Sequence, residues 1–348
     1  MAADQSITVL GYAYPFISTE VLEDWLPDLT AVLSFSYGVR EDGSLIPLAD
    51  DALLAAVCPN PLPAEEGVEG TGSVCRDVQM VLTPMNEEGQ FSSELAGTVL
   101  RNEEIRRTLA ENIRNTVIEK NYAGVNFDFE YVQREDRDLY VELVRETAAL
   151  LRPLGLLTTV ALVPKTSADQ PGLLYGGHDY RGMGEAADLA MLMTYEWGYT
   201  YGPPMAVAPL DKVERVLLYG LSEIPAEKIL LGIPNYGYDW TLPFEAGISE
   251  AGKLSIDEAF ALAASYGAEI RFDETAQSPY FFYTGEDGRE HEVWFEDERS
   301  LTAKLQLIDK YGLAGAFYWN IMSYYAGNSE ALAGQYQVLP ALSVPSAG

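Results

Sequence analysis

Residues 123–130 read Ala-Gly-Val-Asn-Phe-Asp-Phe-Glu, so apolar and polar side chains alternate along this octapeptide. Alternation with a period of two is typical of a β-strand, in which successive side chains point to opposite faces. Asn126, Asp128 and Glu130 are therefore predicted to share one face, with neighbours about 6.5–7 Å apart along the chain. Burying two carboxylates at the end of an otherwise apolar strand is costly. The pair therefore indicates acid–base chemistry, because two close carboxylates repel each other and one of them tends to keep a proton near neutral pH.

The composition describes a folded chain with a large excess of negative charge. Of its 348 residues, 48% are hydrophobic and 22% are charged, and the formal net charge is −31. This charge argues against nucleic acid or an anionic membrane surface as a partner. No apolar run reaches the roughly 18–20 residues that a membrane-spanning helix needs. The two histidines, His178 and His291, leave little basis for a metal site, and neither a metal nor a cofactor is expected.

Short apolar runs alternate with segments of helical periodicity along the chain. Strands are predicted at residues 7–14, 31–37, 78–83, 124–129, 157–163, 189–194, 229–233 and 315–319. Helices are predicted at residues 19–25, 49–57, 102–120, 134–151, 180–186, 209–219 and 299–311. Eight strands that alternate with helices imply an α/β fold of the (β/α)₈ barrel type, also called a TIM barrel.

The spacing of these elements is interrupted once, between the seventh and eighth strands. About 80 residues lie there, whereas one connection between successive barrel strands usually needs about 35. We interpret the surplus, residues 238–297, as a small α+β insertion within a single catalytic barrel of residues 1–348. A helix at 256–266, strand-like segments around residues 270–272, 280–283 and 292–295, and a hairpin turn at 285–288 are predicted inside it. Cys58 and Cys75 bracket a separate loop and are candidates for one disulfide bond.

The chemistry-bearing residues fall at the ends of predicted strands, where barrel enzymes place their active sites. Glu130 and Tyr195 end the fourth and sixth strands, Tyr236 follows the seventh and Trp319 ends the eighth. Further aromatic residues lie near the ends of the first two strands, including Tyr12, Tyr14, Phe35 and Tyr37. Because the apolar faces of sugars stack on aromatic rings, a carboxylate pair surrounded by aromatics indicates a sugar-binding site.

The octapeptide resembles the Asp-x-x-Asp-x-Asp-x-Glu signature of family 18 glycoside hydrolases, the chitinase-like enzymes. Three other segments are similar to motifs of that family: Met193-Thr-Tyr195, Gly232-Ile-Pro-Asn-Tyr236-Gly and Gly315-Ala-Phe-Tyr-Trp319. Two longer segments, residues 191–209 and 233–240, look like the branch of bacterial spore-germination, cortical-fragment-lytic N-acetylglucosaminidases. The resemblance spans essentially the whole chain.

The resemblance implies a retaining mechanism in which the substrate supplies the nucleophile. Glu130 would protonate the glycosidic oxygen, and the N-acetyl carbonyl oxygen of the sugar would attack C1. Asp128 would orient the acetamide, Tyr195 would hold its oxygen, and the indole of Trp319 would form the floor of the site. The other residues expected to contact the sugar or shape its site are Asn126, Met193, Tyr12, Phe35, Glu196 and Tyr236.

The sequence departs from the general family pattern at several positions. Ala123 and Asn126 stand where the signature has Asp, and Glu196 replaces the Asp that often follows the tyrosine. Residues 82–86 do not reproduce the Ser-x-Gly-Gly pattern of many chitinases. Asn126 cannot ionise, and we hypothesise that its amide donates a hydrogen bond to Asp128 and helps to keep that carboxylate ionised. These departures favour a substrate other than chitin.

The expected substrate is a glycan with β-linked N-acetylglucosamine, in peptidoglycan of the spore cortex or cell wall, or in its fragments. A chitinase or an endo-β-N-acetylglucosaminidase is the alternative among enzymes. A different class is a non-catalytic lectin on the same barrel, although such proteins typically lose the acid that Glu130 supplies here. We expect a monomer. The first residues lack the features of a signal peptide, and the resemblance alone suggests a spore or extracytoplasmic location.

Overall fold

The computed structural model of the chain describes residues 5–58 and 78–342. The strands are β1 Ser6–Ala13, β2 Ala31–Val39, β3 Leu45–Ile46, β4 Val78–Leu82, β5 Gly124–Phe127, β6 Leu157–Leu162, β7 Leu189–Leu192, β8 Ile229–Pro234, β9 Gly237–Thr241, β10 Gly252–Leu254, β11 Arg271–Asp273, β12 Ser278–Thr284, β13 Glu290–Trp294, β14 Gly315–Trp319 and β15 Gln337–Val338. The helices are α1 Thr19–Trp25, α2 Asp51–Val57, α3 Ser93–Arg101, α4 Glu103–Glu119, α5 Arg137–Leu151, α6 Tyr180–Ala186, α7 Leu210–Glu223, α8 Ile256–Tyr266, α9 Glu298–Tyr311 and α10 Ala326–Ala333.

Eight parallel strands close into a barrel. In order around it they are β1, β2, β4, β5, β6, β7, β8 and β14, and β1 pairs with both β2 and β14. Gly315 begins β14 with φ +154°, and a Cβ on it would lie 1.8 Å from the carbonyl oxygen of Thr8. Glycine at this position therefore permits the close approach of β14 to β1. The predicted (β/α)₈ barrel is confirmed.

The helices around the barrel bury one apolar face each. In α4 the buried side chains include Leu109, Ile113 and Val117, which follow one another at helical spacing. Asn102 caps this helix by accepting hydrogen bonds from two backbone amides of the first turn. The barrel strands are buried on both faces, as expected for a parallel sheet covered by helices. Within residues 5–58 and 78–342, no helix has the length and apolar character required to span a membrane.

The insertion between the seventh and eighth barrel strands forms a second sheet with its own helix. Its five antiparallel strands lie in the order β10, β9, β13, β12, β11. Helix α8 begins with a capping box between Ser255 and Glu258 and packs onto a small core that includes Phe281 and Phe295. The turn between β12 and β13 lies at the predicted hairpin. The predicted α+β insertion is confirmed, and its boundaries at residues 238 and 297 stay a prediction.

The sequence predicted most element types, with differences at strand ends. Strand β5 ends at Phe127 and not at residue 129, although the amide of Asp128 still donates to the carbonyl oxygen of Leu82 in β4 at 2.9 Å. Strand β7 likewise ends two residues earlier than predicted. The elements that were not predicted are α3, α10, β3, β9, β10 and β15. The expected disulfide partner of Cys58, Cys75, lies outside the described residues.

A buried ion pair lies where the insertion rejoins the barrel. Glu296 follows β13, and one of its carboxylate oxygens accepts hydrogen bonds from Lys304 of α9 at 2.7 Å and from Ser300 at 2.5 Å. Both charged side chains are fully buried. Burial raises the pKa of Glu296, while the Lys304 ammonium opposes this rise. The pair therefore joins the end of the insertion to a barrel helix and leaves each charge dependent on the other.

We predict that Lys304→Met destabilises the protein by about 3–5 kcal/mol, because it leaves the buried Glu296 without its counter-charge. Thermal unfolding followed by circular dichroism measures the effect. The double variant Glu296→Gln/Lys304→Met should recover most of the lost stability, since no unpaired charge remains. Equal melting temperatures for the wild type and the single variant would show that Lys304 is not needed to stabilise the buried Glu296 carboxylate.

Candidate active site

A cavity of about 300 Å³ lies at the carboxyl-terminal ends of the barrel strands. It brings together residues from loops and strand ends that are far apart in the sequence. Its lining consists of Tyr12, Asp128, Glu130, Val163, Pro164, Leu174, Tyr175, Met193, Tyr195, Glu196 and Trp319. This is the end of the barrel at which (β/α)₈ enzymes bind their substrates.

The two carboxylates of the octapeptide lie side by side in this cavity. Asp128 is only 3% exposed, and its Oδ1 has no hydrogen-bond partner among the described residues. Burial raises the pKa of Asp128 well above its usual range, and the nearby charge of Glu130 raises it further. The pKa of Glu130 is also raised, first by burial and then by the charge of Glu196. The arrangement therefore favours retention of a proton by the pair near neutral pH.

Asn126 lies beneath the carboxylates and does not make the expected hydrogen bond to Asp128. Its amide nitrogen donates to Thr159 Oγ1 at 2.8 Å and to Met191 Sδ at 3.1 Å, and its oxygen accepts from the Tyr12 hydroxyl at 2.7 Å. The hypothesis that Asn126 keeps Asp128 ionised by direct donation is wrong, because the Asn126 side chain is fully engaged with neighbouring strands. Its position ties β5 to β1, β6 and β7 under the site.

His178 lies behind the carboxylate pair, outside the cavity. Its Nε2 is 3.2 Å from the carbonyl oxygen of Glu130, which can only accept, so the ring carries a proton on this nitrogen. Complete burial lowers the pKa of His178 to about 4, which keeps the ring neutral at physiological pH. Lys165, also buried, donates to the His178 carbonyl oxygen at 2.9 Å. These contacts hold the backbone of Glu130 in place.

Aromatic rings form the wall of the cavity at the β14 end. The ring of Trp319 lies 5.3 Å from that of Tyr12 and 5.1 Å from that of Phe35, both in edge-on contact. Phe35 faces an adjacent depression of about 450 Å³, which Tyr14 and Phe16 also line. The half-buried Trp319 therefore offers a supported aromatic surface between the carboxylates and this second depression.

The opposite wall contains a third carboxylate held by two tyrosines. Glu196 has φ +66°, an uncommon backbone conformation for a residue other than glycine, and it follows Tyr195 in the loop after β7. The hydroxyls of Tyr236 and Tyr238 both donate to Glu196 Oε1. Burial raises the pKa of Tyr236 well above its usual range, so this hydroxyl keeps the proton that it donates. The two tyrosines thus hold the Glu196 carboxylate close to Glu130.

The structure brings most of the predicted site residues together. Seven of them line the cavity: Tyr12, Asp128, Glu130, Met193, Tyr195, Glu196 and Trp319. Asn126 lies below the cavity, Tyr236 lies behind Glu196, and Phe35 lines the adjacent depression. Sequence reasoning did not identify the lining residues of the loop after β6, among them Leu174 and Tyr175. That loop has neither periodicity nor a motif that could have marked them.

No group of three or more His, Cys, Asp or Glu residues within residues 5–58 and 78–342 has the arrangement of a metal site.

Fold and site together define a glycoside hydrolase of the barrel type. The family model for glycosyl hydrolases family 18 matches residues 88–323. The chain belongs to this family, as the sequence motifs predicted.

Relatives of the chain include spore enzymes of bacilli. The cortical fragment-lytic enzyme of Bacillus subtilis (strain 168) is 40% identical over 313 residues, which cover 90% of this chain and 69% of that protein. The enzyme of the same name from Bacillus cereus is 38% identical over 85% of this chain and 65% of its own length. The chain thus spans about two thirds of the length of these relatives.

Solved structures agree with this assignment. The spore cortex-lytic enzyme SleL of Bacillus megaterium QM B1551 superposes with a TM-score of 0.87 at 35% identity, over 97% of this chain and 76% of that chain. A chitinase from Chromobacterium violaceum ATCC 12472 superposes with a TM-score of 0.82 at 27% identity, over 94% of this chain and 99% of that chain. The fold is therefore shared by enzymes named for different polymers.

We predict that Glu196→Gln lowers the pKa of Glu130, because it removes a negative charge that opposes ionisation of that carboxyl while keeping an acceptor for the two tyrosines. The measurement is an NMR titration of carboxyl-labelled glutamate. Glu111→Gln, on the exposed side of α4, is the matched control and should leave the titration of Glu130 unchanged. A raised or unaltered pKa of Glu130 in the Glu196 variant would show that another group sets it.

Proposed function

We propose that the chain is a retaining, substrate-assisted hydrolase that cleaves β-linked N-acetylglucosamine in spore-cortex or cell-wall peptidoglycan, or in its fragments. The observation that carries the proposal is that the Asp128–Glu130 pair and the aromatic ring of Trp319 line the same cavity. Such a pair supplies a proton and a negative charge within one sugar-sized cavity. The relatives named above support the assignment of the polymer.

In the first step, Glu130 donates its proton to the glycosidic oxygen. The bond between C1 and that oxygen breaks, and the oxygen keeps the electron pair, so the leaving sugar departs as an alcohol. Burial and the charge of Glu196 keep Glu130 protonated at higher pH than usual for a glutamate. A proton transfer of this kind contributes about 10²–10⁴-fold to the rate.

In the same step, the carbonyl oxygen of the substrate's own N-acetyl group attacks C1 and forms an oxazolinium ion. Asp128 orients the acetamide and balances its developing positive charge, and the Tyr195 hydroxyl holds the acetyl oxygen. Trp319 stacks beneath the sugar ring. Water, deprotonated by the now ionised Glu130, then attacks C1 from the side opposite the acetamide oxygen. The bond between C1 and that oxygen breaks, its electron pair returns to the acetamide, and Glu130 regains its proton, so the product keeps its original configuration.

The other predicted site residues have supporting roles in this proposal. Tyr12 and Met193 border the sugar, while Phe35 extends the aromatic surface beyond Trp319. Tyr236 fixes Glu196, and Asn126 supports the strand that carries the carboxylates. The alternatives of chitin, an N-glycan or mere binding are separated by the experiment below. The monomeric state and the spore location stay predictions.

We predict that Glu130→Gln lowers turnover of muropeptides and cortex fragments by at least about 10²-fold, because the amide cannot donate the required proton. Binding should persist, since Gln has nearly the same shape. Mass spectrometry of the products, with NMR of the newly formed anomer, measures both the position of cleavage and its stereochemistry.

Glu111→Gln serves as the control for loss of one negative charge, and it should keep wild-type turnover. Chitooligosaccharides and an N-glycan of comparable length are tested in parallel. Preferential cleavage of either by the wild type would assign the chain to a different substrate. Binding without turnover of every glycan by the wild type would make it a lectin and refute the hydrolase.

A further inference from the structure

Lys253 of the insertion lies close to the Glu196 wall of the candidate active site. It belongs to β10, the edge strand of the second sheet, where it stands opposite Tyr238 of β9. The amide of Ala251 donates to the carbonyl oxygen of Thr200 at 2.7 Å, which fastens β10 to the loop that carries Glu196. Lys253 therefore extends from the insertion towards the cleft.

The ammonium group of Lys253 is held in place by an aromatic ring. Its Nζ lies 3.7 Å from the centre of the Tyr236 ring, a cation–π contact, and the Tyr236 hydroxyl donates to Glu196. The side chain is exposed to solvent, yet the protein around it lowers the pKa of its amine, an effect that Glu196 partly opposes. The ammonium group therefore lies at the surface of the protein, against the ring of Tyr236.

Within the described part of the chain, the Lys253 ammonium group donates no hydrogen bond and forms no salt bridge. Glu196 takes its hydrogen bonds from Tyr236 and Tyr238, so it does not depend on Lys253 for a direct partner. An ammonium group has three donors, and here they remain available to a ligand. In a chain with 53 acidic and 22 basic residues, a cation held close to the Glu196 carboxylate of the cavity is a distinctive feature.

We propose that Lys253 is a specificity-determining residue that binds a carboxylate on a muramic acid unit next to the cleaved bond. This inference rests on the proposed function, because muramic acid alternates with N-acetylglucosamine in peptidoglycan. The lactyl ether on its O3 projects from the edge of the sugar ring. When the ring face stacks on an aromatic floor, this substituent is directed to the side, and the contact of Lys253 with Tyr236 places its ammonium group on the Glu196 side of the cleft. Chitin has no such carboxylate.

The carboxylate has two chemical sources, the lactyl group itself or the peptide attached to it. The test therefore uses four glycans of equal length: a peptide-free glycan with free lactyl carboxylates, the same glycan converted to methylamides, a peptide-bearing glycan and a chitooligosaccharide. For each, kcat and KM are measured for the wild type, Lys253→Met and Lys253→Arg. Lys212→Met, on the outer helix α7, controls for loss of one positive charge.

Lys253→Met should lower kcat/KM for a carboxylate-bearing glycan about tenfold, the size expected for one charge-assisted hydrogen bond. The loss should appear mainly in KM, because the contact lies away from the bond that breaks. The methylamide glycan and the chitooligosaccharide should change less than twofold. Lys253→Arg should retain most of the preference, and Lys212→Met should behave as the wild type. A loss confined to the peptide-bearing glycan assigns the carboxylate to the peptide.

An equal loss on all four glycans would overturn the proposal, since it would mean that Lys253 acts through Glu196 and not on the substrate. Binding to the Glu130→Gln variant, measured by calorimetry, gives a readout that is independent of turnover. The proposal is supported if the Glu130→Gln variant binds the carboxylate glycan more tightly than the others and the double variant Glu130→Gln/Lys253→Met does not. This result would support the binding role even if the wild type cleaves none of the glycans. That absence of cleavage would refute the proposed function alone, whereas equal binding of all glycans would refute the role of Lys253.

Discussion

The rest of the structure must offset one unfavourable arrangement: two carboxylates are placed close together, away from water, at the end of one barrel strand. Asp128 is buried and Glu130 half-buried within a cavity, and the charge of Glu130 disfavours ionisation of Asp128. In an ordinary protein core such a pair would lower the stability of the fold. Here it is tolerated because the surrounding fold supplies the stability, with β5 hydrogen-bonded to β4 and β6 and covered by helices. The stability of the barrel therefore offsets the free-energy cost of desolvating two carboxylates, one of which can keep a proton near neutral pH.

The interior of the barrel below the pair is polar as well as apolar. Tyr12, Asn126, Thr159 and Gln79 form a chain of hydrogen bonds that crosses from β1 to β4. Behind the pair, His178 is neutral and bonded to the Glu130 backbone. Hydrogen bonds thus support the strand and the backbone that carry the two carboxylates from two directions, while Trp319 and Glu196 line the cavity that the carboxylates face.

Much of the fold and most of the candidate site could be predicted because both follow local patterns. Alternation in residues 123–130 indicates which side chains share a face, and the position of Trp319 at a strand end indicates the end of the barrel to which it belongs. Alternation does not specify neighbours, so the partner predicted for Asn126 was wrong: strands β6 and β7 lie closer to its amide than Asp128 does. Lys253 had no local signal at all. Its position depends on the pairing of β10 with β9 and on one hydrogen bond to a distant loop.

The insertion leaves the barrel after β8 and returns before α9, and its first and last strands are hydrogen-bonded neighbours, with Tyr238 opposite Trp294. Its two connections to the barrel are therefore adjacent, and its helix packs on a core of its own. Under the proposed role of Lys253, substitutions within this unit would alter one side of the substrate cleft while the closure of the barrel is preserved. In evolutionary terms, a lineage with this fold would then keep the strand of Asp128 and Glu130 unchanged and acquire a new preferred polymer by altering a separately packed segment of about sixty residues.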